Sequence, residues 1–427
     1  MTEQMNVPKL RFGDFEGEWS AEKLGAYSKH ITYGLTVRPK FVEDGIPLIS
    51  AREITSGEVK YSKAPQISLS EFNNLSDKAK PLAGDLFLSK TGTIGFSAQN
   101  TTSQPIAITQ NIAVIRIDDA DALSPNYVLH YFKTKKFYRS AISKVNQSTI
   151  MDLQLGDIKR LPIPIPPNFL EQQKIASFLS KVDEKIALLT EKKDKLTEYK
   201  KGVMQQLFNG KWEEQDGQLT FIPPTLRFKA DDGSEFPDWV EKTLGSLADL
   251  TSSKRVYLSD YSEDGVPFFR GKEISEIRKG IIPDDVLYIT RKAFEEFKSK
   301  YGAPVEGDIL VTAVGTLGNI LRVTGEFEFY FKDGNLIWLR KPRCDSKFLS
   351  ILMEANQHEL LKTAIGSSQK ALTIVELKKI VFKMPSLEEQ QKITMFLSSL
   401  EEKVRLANSE LEKAKEWKKG LLQQMFV

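Results

Sequence analysis

One stretch of this chain is written twice. Residues 171–208 read EQQKIASFLSKVDEKIALLTEKKDKLTEYKKGVMQQLF, and residues 389–426 read EQQKITMFLSSLEEKVRLANSELEKAKEWKKGLLQQMF. The copies align without a gap at an offset of 218 residues. Roughly half of the aligned positions are identical. Short-repeat solenoids use units of about 20–50 residues. So long an offset therefore signals a duplicated module: a globular segment, a long helix, then the same again.

Each copy has helical periodicity. The apolar stripe runs Ile175, Leu179, Val182, Ile186, Leu189, Leu196, Val203, Leu207 in the first copy. In the second it runs Ile393, Leu397, Leu400, Val404, Ala407, Leu411, Ala414, Leu421, Met425. Steps of four and three alternate, as in a coiled-coil seam. Lys193 and Lys200 interrupt the first seam and Lys418 the second. At ~1.5 Å per residue each helix reaches about 57 Å if unbroken. The Lys and Glu between the apolar positions argue against a helix buried all round. The expected fold is α+β: two similar mixed α/β domains separated by a long antiparallel two-helix coiled coil, with pseudo-two-fold symmetry. The expected division is a first domain over 1–166, a central helix over 167–212, a second domain over 213–385 and a C-terminal helix over 386–427.

With 427 residues the chain can build two or three cores. Its net charge of +3 is too small to argue for nucleic acid by itself, although a basic patch can hide within a near-neutral total. A single cysteine, Cys344, rules out a disulfide framework or thiolate cluster. His30, His130 and His358 are far apart, so no metal site is expected. The N-terminal MTEQMNVPKL lacks the apolar core of a leader. No run of about 18 apolar residues suggests a membrane span. A cytoplasmic protein is expected.

The globular segments repeat more loosely. In the first, 46–50, 85–89 and 112–117 read as strands bounded by turn signals, while 69–78 and 124–143 read as helical. Ser124-Pro125 supplies a cap and first-turn pair. LPIPIPP at 161–167 cannot be helix and reads as a stiff extended joint into the first long helix. In the second, PTLRF matches PKLRF, EDGVPFFRGKEI matches EDGIPLISAREI, and GD followed by GTLG matches GD followed by GTIG. Between these anchors the residues change; TSSKRVY at 251–257 replaces ITYGLTV at 31–37. The KTGTIG turn lacks the spacing of a phosphate loop. Metalloprotease, serine-hydrolase and amino-methyltransferase motifs are missing too, so no catalytic role and no cofactor are expected.

The proline-led entry to EQQKI, the KKGVMQQLF and KKGLLQQMF endings, and the paired GD and GT(I/L)G elements occur twice in the same order. Over essentially its whole length the chain resembles the specificity subunit of Type I restriction-modification systems. That resemblance implies two target-recognition domains, each reading half of a split sequence in double-stranded DNA, with the paired helices as a ruler. It implies two modification subunits as partners, which bind S-adenosylmethionine and methylate adenine, and restriction subunits in the full complex.

Base reading draws on loop-borne Arg, Lys, Asn and Gln. The candidates are Arg38, Lys40, Arg52, Lys90, Thr91 and Asn111 in the first half, and Lys254, Arg255, Arg270, Lys272, Lys332 and Asn335 in the second. Lys90 and Thr91, beside the glycine turn, are expected to touch phosphate, which positions without specifying. Two other readings fit the residues: a coiled-coil scaffold whose globular ends bind proteins, and a reading part detached from an enzyme that joins cutting and methylation in one chain.

Overall fold

The computed structural model describes residues 6–145, 150–209, 211–215, 218–222, 224, 226–325, 327–366 and 370–427. Met1–Met5, within the stretch read for a leader, and Thr225 of the second PxLRF motif lie outside them. The chain forms two compact units: Met1–Glu191 with Ala407–Val427, and Lys192–Leu406. Both boundaries fall inside the long helices, Phe169–Phe208 and Leu387–Gln424.

In the first unit the strands His30–Tyr33, Ile112–Arg116, Leu86–Ser89 and Ser97–Gln99 form one antiparallel sheet in that order. A second sheet orders Phe41–Val42, Gln66–Ile67, Ile46–Ile49 and Ala107–Ile108, its last pair parallel. The second unit repeats both orders. Asp249–Thr251, Leu336–Arg340, Ile309–Thr312 and Ile320–Arg322 form one sheet. Tyr261–Ser262, Leu287–Ile289, Val266–Phe269 and Tyr330–Phe331 form the other, again ending in a parallel pair. The duplication thus extends to strand topology.

Two sequence expectations need correcting, and one element is new. The helix expected over 69–78 is one short turn, Leu69–Asn73, followed by a 3-10 turn at Asp77–Ala79. The helix expected over 124–143 is two, Pro125–Phe132 and Lys135–Ile142, because the Thr134 hydroxyl accepts from Phe137 N and starts a new helix. The hairpin Lys211–Gln215 with Gln218–Ile222 was not anticipated. The proline run is extended as expected, and it is also a strand: Pro162–Ile165 pairs antiparallel with Ser20–Lys23. Only alternate residues of such a strand bond to their neighbour, so prolines at every second position are tolerated on this two-stranded edge.

The repeated motifs are the joints of each unit. Arg11 of PKLRF donates from Nε and an Nη to the two carboxylate oxygens of Glu171, at 2.7 and 2.8 Å. Glu171 is fully buried, and that hydrogen bond raises the Arg11 pKa. The side chain of Gln172 accepts from Ser124 N and donates to Ala122 O. In the second unit Arg227 makes the same pair with buried Glu389, which also accepts from Trp239 Nε1. Gln390 there accepts from Asp345 N and donates to Pro385 O. The EQQ letters therefore bolt a long helix to its globular head.

The QQ(L/M)F endings plug the cores. Leu421, Leu422, Met425 and Phe426 belong to the main cluster of the first unit, where Phe426 packs on Tyr127 and Tyr131. Val203, Leu207 and Phe208 do the same in the second, with Phe208 against Phe348 and Trp239. Leu10 N donates to Gln424 O in one unit and Leu226 N to Gln206 O in the other.

The seam residues Ile175, Leu179, Val182, Ile393, Leu397, Leu400 and Leu411 are buried, and Ile186, Leu189, Leu196 and Val404 are half-buried. All three lysines that break the seam have acidic partners: Lys193 lies 3.1 Å from Asp194 on its own helix, and the other two pair with the facing helix. Within the first unit Lys418 pairs with Asp183 across the helices. Within the second, Lys200 pairs with Glu401 at 3.3 Å.

Candidate nucleic-acid interface

In the first unit several loops meet at one end of the sheets. Lys90 and Thr91 leave the strand Leu86–Ser89 and enter the glycine turn. That turn needs glycine because φ is +78° at Gly92 and +97° at Gly95. The equivalent Gly315 and Gly318 of the second unit have φ of +80° and +74°. Lys90 N donates to Asn111 O, and Leu153 N donates to Lys90 O, which brings Asp152 against Thr91.

Two adjacent pockets open on this face. One, about 270 Å³, is lined by Arg38, Phe41, Asn111 and neighbours; the other, about 340 Å³, by Tyr33, Lys90, Thr91, Asp152 and Gln154. Thr36 and Gln110 line both. The fold thus gathers Arg38, Lys90, Thr91 and Asn111. Arg38 lies over the Phe41 ring at 5.7 Å. Lys40 is exposed in the Arg38 loop. Arg52 is exposed on the 3-10 helix Ala51–Ile54 and lines neither pocket.

Lys90 is only 7% exposed. Its Nζ stands 2.6 Å from Asp152 Oδ1 and 5.8 Å from the centre of the Tyr33 ring. Burial alone would raise the Asp152 pKa, but the hydrogen bonds from Lys90 and Thr91 outweigh it and hold the carboxyl below its ordinary value.

In the second unit the candidates divide. Arg270 is tied to Glu273 and to Asp285 O, and Lys272 lies 3.8 Å from both Glu276 and Asp285. Glu273 is fully buried and accepts from Arg270 N, as Glu53 accepts from Ser50 N in the first unit. That element occurs in both units and belongs to the shared frame. Arg255 Nε lies 3.3 Å from Asp333 Oδ2, and Lys254 lies over the Tyr301 ring. Lys332 is exposed, its N donating to Phe269 O, while Asn335 O accepts from Ala313 N.

Tyr33, Thr36, Gln110, Asp152, Gln154 and Asp333 were missed from sequence. For Asp152 a signal existed: Asp152-Leu153 aligns with Ala371-Leu372, a change of charge at one place in the frame.

Two heads on one frame, each bolted to a long helix and differing at exposed loops, define a chain built by duplication. Residues 41–198 and 237–416 match the family model described as the Type I restriction modification DNA specificity domain, and the chain belongs to that family. A protein of Methanocaldococcus jannaschii, described as a candidate type I restriction enzyme MjaX specificity subunit, is 25% identical over 432 residues, covering 98% of this chain and 95% of that protein. The fold is similar to the Type-I restriction-modification system S subunit from M. genitalium, with a TM-score of 0.58 and 18% identity over 99% of each chain. A structure solved for complex assembly and conformational transition of the type I R-M system matches at a TM-score of 0.57 and 17% identity, over 96% of this chain and 98% of that one.

Proposed function

We propose that this chain is the sequence-specific DNA-recognition subunit of a type I restriction-modification complex. Each head, over 1–166 and 213–385, reads one half of a bipartite target in double-stranded DNA. The long helices, over 167–212 and 386–427, pair along their length as an antiparallel coiled coil with pseudo-two-fold symmetry. They set the spacer and dock two modification subunits, and restriction subunits join in the full complex. The chain itself is non-catalytic and works in the cytoplasm; among the described residues no helix is long and apolar enough to cross a membrane.

The observation that carries this reading is one frame used twice with different loop contents, in a chain of the DNA specificity family. A scaffold that binds proteins would not need membership of that family, and is disfavoured. Selection from a random duplex library by the full-length chain, with modification subunits present, is the test. Two short motifs at a fixed gap should emerge, and binding should weaken steeply as salt rises, through counterion release. Enrichment of no motif at all would sink the proposal.

A further inference from the structure

Lys90, Thr91 and Asp152 have structural equivalents in the second unit. Lys90 N donates to Asn111 O, and Ala313 N to Asn335 O. Thr91 bridges Asp152, and Val314 bridges Ala371. Leu153 N donates to Lys90 O, and Leu372 N to Ala313 O. The same backbone pairing therefore closes in the second unit with Ala313, Val314 and Ala371. The fold does not need the charged side chains, yet the first unit buries a lysine to keep them.

A phosphate clamp is a poor account of this pair, because Asp152 would repel the phosphate that Lys90 attracts. A donor beside an acceptor suits a base-pair edge instead. In the major groove guanine presents the acceptors N7 and O6, and cytosine the N4 donor. O6 and N4 are themselves about 2.9 Å apart, one hydrogen-bond length, close to the 2.6 Å between Lys90 Nζ and Asp152 Oδ1. An A·T pair fits less well: a carboxylate on adenine N6 would face the N7 acceptor beside it.

The second unit carries a cation–carboxylate pair on the equivalent loops, one position over. Thr32 and Thr251 hold the same strand register, opposite Val114 and Trp338. Counting on from them, Arg255 stands where the first unit has Thr36. Thr109 N donates to Ile49 O and Lys332 N to Phe269 O, so Asp333, the next residue, starts the turn that Gln110 makes in the first unit, with Gly334 one residue extra before Asn335. Arg255 and Asp333 are paired at 3.3 Å.

Building on the DNA-reading proposal, we propose that Lys90 and Asp152 together read one G·C base pair through its major-groove edge, and that Arg255 and Asp333 read one from a different place in the second head. The lysine or arginine donates to guanine, and the carboxylate accepts from cytosine N4. The displaced position of the pair gives two heads on one frame different targets.

The test compares library selections by the full-length wild type and by K90A/T91V/D152A, with modification subunits present. The variant copies what the second unit already tolerates, and it removes both charges, so no buried charge is left unpaired. The expected result is loss of discrimination, by about tenfold or more, at one G·C position of one half-site. The other half-site and the gap should stay unchanged. R255A/D333A should do the same to the other half-site. An unchanged motif overturns the inference, and so does uniform weakening at every position with a shallower salt dependence, the mark of a phosphate contact. In either case the wild-type motif still stands, and so does the DNA-reading proposal. Only a wild type that enriches nothing counts against that proposal itself. If K90A/T91V/D152A misfolds, the graft A313K/V314T/A371D decides: a new G·C preference in the second half-site supports the inference, and none overturns it.

Discussion

His130 of the first unit is strongly perturbed. It is buried, with Nε2 at 3.1 Å from Ser180 Oγ. Asp183 lies 4.0 Å from its ring, and Lys133 and Lys418 both pair with Asp183. Burial first, then Lys133 and Lys418 against the pull of Asp183, pushes the imidazole down to about 4. A depressed histidine pKa means the folded state prefers the neutral ring. The unfolded chain takes up a proton near pH 6.5 and the folded one only near pH 4. This contribution is therefore fully present above pH 6.5, is lost as pH falls towards 4, and amounts to the order of 3 kcal/mol. His130→Gln, which can keep a hydrogen bond to Ser180, should flatten the fall of stability between those values, seen as a smaller Tm difference between pH 7 and pH 4.5. An unchanged slope would mean that other groups set it. This network could not be read from the sequence, because His130, Asp183 and Lys418 come from three separate elements. That Arg38, Lys90, Thr91 and Asn111 sit on loops was legible from the turn signals that flank them. Asp152 was not, because its register against Thr91 is a tertiary fact.

At the scale of elements, the strands over 46–50 and 85–89 could be read because short apolar runs follow Gly45 and Gly84, and 112–117 because it is rich in β-branched residues. The helix break at Lys133–Thr134 could not, because an apolar pattern continues across it and only the Thr134 cap decides. Nor did the sequence say where the QQ(L/M)F endings go. Each inserts into a core cluster of its own unit, against which Phe12 packs in the first unit and Leu226 and Phe228 in the second. Phe426 is 7% exposed and packs on two tyrosines. Removing so buried a phenyl ring costs about 3–5 kcal/mol. Phe426→Ala should therefore weaken hydrogen-exchange protection in Ile112–Arg116 while leaving Leu336–Arg340 as it was, and Phe208→Ala should do the reverse. Equal loss in both strands from either variant would show that the units do not hold their cores separately.

At the scale of the whole molecule, the duplication was the most legible property, because gapless identity sustained along a whole long helix rarely arises except by copying. The repeated strand orders extend it to the sheets. The pairs Lys418–Asp183 and Lys200–Glu401 are equivalent under the same 218-residue offset, which supports the proposed pseudo-two-fold ruler. That ruler can be tested by lengthening it. One heptad added to each long helix, after Leu189 and after the equivalent Ala407, preserves the seam. It adds about 10.5 Å of rod, or about three base pairs at ~3.4 Å each. Seven residues nearly complete two helical turns, so the heads keep almost the same facing. Three base pairs, however, turn the grooves by about 100°, given ~10.5 base pairs per turn. The lengthened protein should thus select a gap about three base pairs longer and bind it more weakly than the parent binds its own site. Selection of the original gap at undiminished affinity would show that something other than these helices sets the spacing.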